Sequence, residues 1–350
     1  MTGLLKFIQR ERLYILLLIF VILLTIMALS ADSRKPESKS RKAQVSATAV
    51  KEAQAAKEAR IDKAIRENGH LAAVFTIASL LILLVLIIGI VVDVMLLSRR
   101  FYGKKDNMRT YQMPVASWNI WDVGRVVVLF LFFGYMIVII ESILASSVPA
   151  FRNDDFRAVF NSSLLDAISV ILIIYFIVGQ YKNKLKSVGI NFKNFTANVL
   201  YGVIGYLAAI PVLFFVLILT AIIIKLANYT PKEQVVVAMF MRQTNPAFLI
   251  YTSIFAAIAG PIAEELFFRG FMYSAVKKYI GIFWATMITA SIFAFLHGHV
   301  VGFLPIMVLG ILLAYLYERT GTLVSSVTVH MLHNFSMVLL VFLAKSVNGI

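Results

Sequence analysis

Long apolar runs separated by short polar stretches dominate the chain. Nearly solid Leu, Ile, Val and Phe fill 13–31, 71–97, 126–145, 164–179, 199–226, 248–276, 283–296, 303–317 and 323–343. Crossing a bilayer takes about 20 helical residues, or about ten strictly alternating residues of a strand. The runs do not alternate, so the pattern predicts an all-α fold, a polytopic transmembrane helical bundle of about eight to nine spans. Pro211 inside the fifth run predicts a kink.

The polar stretches orient the spans. Lys6, Arg10 and Arg12 precede the first run; Arg99, Arg100, Lys104, Lys105 and Arg109 follow the second; Lys182, Lys184, Lys186 and Lys193 follow the fourth with no acidic residue among them. Basic residues gather in cytoplasmic loops, which predicts a cytoplasmic N-terminus; the membrane is expected to be a bacterial inner (plasma) membrane. The first run exceeds the 7–15 residues of a secretory signal core and is expected to be a retained anchor. Segment 32–69 is polar, mixed in charge and rich in helix formers, and predicts a solvated helix. It is the one basic stretch that falls on the predicted outer side. A loop is expected around 231–246. The organisation expected is an N-terminal part, 1–122, of unassigned role, followed by a membrane-embedded domain over 123–350.

Composition narrows the chemistry. Lys and Arg exceed Asp and Glu by 15 charges, but in a membrane protein these belong to loops facing anionic lipid, so the lipid bilayer is a partner and nucleic acid is not. No cysteine is present, which excludes disulfides, thiolate nucleophiles and cysteine-ligated zinc. Catalysis would have to use carboxylate, imidazole, amide or hydroxyl.

One apolar run breaks its own pattern. Glu264, Glu265 and Arg269 fall within six residues of the sixth span, although each ionised side chain at mid-membrane costs about 2.5–3.5 kcal/mol. On a helix Glu265 and Arg269 share a face and can pair, while Glu264 points about 100° away and stays available. Four of the five histidines lie further on. His297 shares a helical face with Phe293, and His330 shares one with Asn334; His299 and His333 are expected to be hydrogen-bonded packing residues, and Glu141 to find a pairing partner. Counted at about 1.5 Å per residue from the presumed cytoplasmic ends, Glu264 lies about 20 Å deep, His297 about 24 Å, and His330 and Asn334 about 10 and 16 Å. Tilt can absorb the differences, so all four can meet in one cavity. A carboxylate beside an imidazole can deprotonate water, and an amide or second imidazole can donate to the oxyanion formed at a carbonyl. A divalent metal such as zinc, held by Glu264, His297 and His330, is an open alternative, although the HExxH zinc-protease helix is absent.

The three motifs are EExxxR at Glu264–Arg269, FxxxH at Phe293–His297 and HxxxN at His330–Asn334. In that order they resemble the CAAX-processing and bacteriocin-processing intramembrane endopeptidases, which include the type II CAAX prenyl proteases. The resemblance covers roughly 160–344. It implies a peptidase in which Glu264 and His297 activate a water, His330 and Asn334 stabilise the oxyanion, and Glu265, Arg269 and Phe293 orient the site. It also implies a glutamate-dependent reaction with no cofactor, in a family once classed as metalloproteases, on a membrane-associated protein or peptide substrate. Two other classes stay open on the residues alone: a non-catalytic membrane scaffold, such as a bacteriocin-immunity or regulatory protein, and a proton- or metal-coupled transporter.

Overall fold

The computed structural model describes residues 3–33, 68–102, 115–229, 231 and 234–347. Expectations for most of 32–69, and for Lys104, Lys105 and Arg109, lie outside the described residues. The elements are all helical, with no strand among the described residues: α1 (Gly3–Ser33), α2 (Gly69–Phe101), α3 (Ile120–Leu144), α4 (Asp154–Ile174), α5 (Phe195–Leu226), α6 (Val235–Arg242), α7 (Pro246–Ile254), α8 (Gly260–Glu265), α9 (Ser274–Leu296), α10 (Phe303–Thr320) and α11 (Leu323–Val347). Wider π turns extend α4 over Tyr175–Gln180 and flank α8 at Phe255–Ala259 and Leu266–Tyr273.

Eight helical stretches are long and apolar enough to cross a membrane, as the hydropathy pattern predicts, and the chain is an integral membrane protein. One of them, Pro246–Leu296, runs for 51 residues. At about 1.5 Å per residue that is more than twice the thickness of a bilayer core of about 30 Å. It breaks at Gly281, where φ is 76° and ψ 175°, a conformation that a residue without Cβ adopts at little cost. The stretch thus supplies the two spans expected at 248–276 and 283–296. The loop expected at 231–246 instead contains α6. Lys345 near the end of α11 donates to the carbonyls of Phe240, at 2.9 Å, and of Gln243, covering the carbonyl end of this short helix.

Two compact units are present. In the first, which contains α1, α3 and α4, the Arg125 guanidinium joins α1 to α3. It donates to Glu11 at 2.8 Å and to Asp122 at 2.6 Å, and the Tyr181 hydroxyl donates to Asp122 as well. The partner expected for buried Glu141 is there: Asn161 donates to it at 3.1 Å and Arg157 at 3.4 Å.

The second unit contains α2 and α5 to α11. Leu309, Leu313 and Leu316 of α10 pack with Val329 of α11, and Tyr206 and Leu213 of α5 close over them. α5 meets α11 where Gly202 lies on the backbone of Ser325. A Cβ at Gly202 would stand 2.7 Å from Thr328 Cβ and 2.8 Å from the Ser325 carbonyl oxygen, closer than packed atoms approach. The Ser325 hydroxyl donates to the Asn198 carbonyl at 2.9 Å across the same contact. Gly202→Val is therefore expected to lower stability by about 1–3 kcal/mol, the cost of overpacking, read as a lower midpoint of unfolding in detergent. α5 thereby holds in place the helix that carries His330 and Asn334.

Candidate active site

The site is built on the interrupted helix around α8. Each π turn adds a residue per turn and re-aims the side chains that follow, a device often found at functional sites. The first π turn also frees a carbonyl. Gly260 N–H bonds back to Phe255 O in the wide register, so the next bond would run from residue 261 to Ala256 O. Residue 261 is proline and has no N–H. The Asn334 side-chain amide donates to that carbonyl instead, at 2.8 Å.

Glu265, Arg269 and His330 are almost wholly buried, at 0%, 2% and 1% exposure. Arg269 Nη1 donates to Glu265 Oε1 at 2.5 Å, so the i,i+4 pair expected from the sequence forms. Arg269 Nη2 adds a bond to the Gly310 carbonyl at 3.3 Å. The same Glu265 oxygen lies 3.0 Å from His330 Nδ1. A carboxylate held ionised by a guanidinium accepts, so Nδ1 carries the proton and Nε2 is turned away from Glu265. His330 Nε2 stands 3.7 Å from Glu264 Oε2, beyond direct hydrogen-bond length. Glu264 itself is half-buried, with no hydrogen bond to Oε2.

Phe293 joins these groups. Its ring lies 5.5 Å from the His330 ring and 4.6 Å from the His297 ring, centroid to centroid, and the Arg269 guanidinium sits 4.5 Å over its face. Phe268 packs on it edge-on at 5.0 Å. His297, at the end of α9, is exposed. Its Nδ1 lies 2.7 Å from the Phe293 carbonyl oxygen; a carbonyl only accepts, so Nδ1 carries the proton and Nε2 is left as an acceptor.

The structure therefore gathers Glu264, Glu265, Arg269, Phe293 and His330 in one cluster. It places the His297 ring against Phe293 and ties Asn334 to Ala256 through one of its two amide hydrogens. Glu265 engages His330 Nδ1 and leaves Nε2 open; among the described residues no group of three or more His, Asp or Glu side chains is placed to hold a metal ion. His299 is a packing residue as expected, its Nδ1 accepting from Gly302 N–H at 3.0 Å. His333 is not hydrogen-bonded as expected: its Nδ1 is buried without a partner. An apolar cavity of about 360 Å³ lies along α7, lined by Pro246, Leu249, Ile250, Ser253, Ile254 and Phe342, and no motif residue lines it. Two participants were missed in the sequence, the carbonyls of Ala256 and Gly310. The first had a signal in Pro261; a backbone oxygen such as Gly310's has none.

Residues 246–336 match the family model described as type II CAAX prenyl endopeptidase Rce1-like. Over that stretch the chain is similar to that family. All seven motif residues fall inside it, and it is shorter than the region over which the sequence resemblance was drawn. The Bacillus subtilis (strain 168) protein named "Putative membrane peptidase YdiL" is 30% identical over 87 residues, which cover 25% of this chain and 36% of that protein. The match thus spans about a third of the relative's length. No solved structure matches the chain.

Proposed function

We propose that this protein is an intramembrane endopeptidase that hydrolyses a peptide bond of a membrane-associated protein or peptide with a glutamate- and histidine-activated water. One observation carries the reading. Glu264 Oε2 stands 3.7 Å from an imidazole nitrogen whose ring is fixed from behind by a buried Glu265–Arg269 pair. A carboxylate behind an imidazole, setting its tautomer and stabilising its cation, is the arrangement that makes histidine an effective acid and base. The Rce1-like match over the same residues supports it.

In this mechanism a water lies between Glu264 and His330 Nε2 and donates to both, so that its remaining lone pair faces the scissile carbonyl. As the water oxygen attacks the carbonyl carbon, its proton passes to this acid/base pair. The oxyanion accepts from the Asn334 amide hydrogen not used by Ala256 and from His330 once its Nε2 is protonated. The proton then moves to the leaving nitrogen as the C–N bond breaks. His297, whose bare Nε2 remains an acceptor, assists from beside Phe293. The enzyme would act in a bacterial plasma membrane, its N-terminus placed in the cytoplasm by the distribution of basic loops.

The test compares membranes from cells producing the wild-type protein and Glu264→Gln. Peptides whose new termini depend on the carboxylate are expected. Identical sets of termini, with the variant still giving the cellular phenotype, would leave a non-catalytic scaffold instead.

A further inference from the structure

Most buried polar atoms in a folded protein find a hydrogen-bond partner, and an orphan calls for an explanation. His333 Nδ1 is such an orphan. The residue lies one helical turn from His330 on α11 and is rotated about 60° from it round the axis. Asn334 on one side reaches back to Ala256, and His330 in the middle meets both glutamates. His333 on the other side sets its ring edge-on to Tyr206, 6.1 Å between centroids. Tyr206 is itself packed against the Leu309, Leu313, Leu316 and Val329 core, so the wall behind the imidazole is fixed. His297 and His330 both lie within electrostatic reach of the ring.

The orphan decides the tautomer. A neutral imidazole has one N–H and one bare nitrogen. Burying an N–H without an acceptor is the rarer arrangement in native proteins, so the sealed Nδ1 is the bare one. The proton then sits on Nε2, and His333, which is half-buried, offers a donor one helical turn from His330. A bound peptide brings carbonyl oxygens that need such a donor.

We propose that His333 is a substrate-binding residue, donating its Nε2–H to a main-chain carbonyl of the bound peptide next to the scissile bond. The inference rests on the peptidase reading. It adds to the motif residues a contact that grips the peptide backbone and leaves the reacting carbonyl to Asn334 and His330.

The test uses full-length protein in proteoliposomes and a lipid-anchored, quenched-fluorescent apolar peptide, with Glu264→Gln as the blank. His333→Phe keeps a ring against Tyr206 and removes the donor. KM is expected to rise about tenfold, one lost hydrogen bond, with kcat changed less than twofold, and His333→Gln should recover part of the loss. Peptides with one flanking carbonyl reduced to methylene complete the cycle. At one position the wild type should lose the same tenfold and His333→Phe nothing more. An unchanged KM in His333→Phe overturns the proposal. So does a fall in kcat together with thermal stability, which would make His333 a packing residue, or a reduced-carbonyl penalty equal in both proteins at every position. Absence of any Glu264-dependent cleavage by the wild type would instead overturn the peptidase reading beneath it.

Discussion

Arg269→Met is expected to destabilise the fold by about 3–5 kcal/mol, because it strands an ionised carboxylate in the protein interior. Glu265 is fully buried, and Arg269 is its one fixed positive charge, reinforced by the Gly310 carbonyl and the face of Phe293. Glu265→Gln should cost a similar amount by stranding the guanidinium. The double replacement, Glu265→Gln with Arg269→Met, should recover most of it, since no charge is then left unpaired. Unfolding midpoints of the four proteins in detergent measure the coupling. Equal, additive losses would mean that the two groups contribute through packing alone. The double variant should still cleave poorly, because Glu265 also holds His330 Nδ1 at 3.0 Å; stability and activity separate at this pair.

The second large effect concerns the reacting groups. Glu264→Gln and His330→Gln are each expected to slow cleavage about 10²–10⁴-fold, the range lost with a positioned general acid or base. The double variant should be no slower than the worse single one, as found for groups that act as a unit. Single-turnover rates on a peptide cut by the wild type read this directly. Multiplying losses would show that the carboxylate and the imidazole work in separate steps. His297→Gln provides the contrast: exposed, and held by the Phe293 carbonyl rather than by either glutamate, it should cost less than either.

Membrane class, number of spans and the Glu265–Arg269 pair are all legible in the sequence, and for one reason. Lipid makes the placement of polar groups so costly that hydropathy and helical spacing suffice. The rarity of ionisable residues in apolar runs likewise exposed Glu264, His297, His330 and Asn334 as candidates. Spacing within one helix fixes which side chains share a face, and it found Phe293 beside His297.

Only tertiary structure could say which imidazole meets which carboxylate. Contacts between helices depend on crossing points such as Gly202 on Ser325 and on two π turns that rotate the motif helix, and neither leaves a periodic trace in the sequence. Thus His330 rather than His297 stands next to Glu264, Asn334 spends one hydrogen on a carbonyl that Pro261 set free, and His333 is left with a buried nitrogen that the chain itself does not satisfy. The sequence alone determined which groups are too expensive to be accidental in a membrane. The packing of α5, α9 and α11 around the broken helix decided how they are shared, because hydrogen bonds are settled over a few tenths of an ångström and residue order carries no such distances.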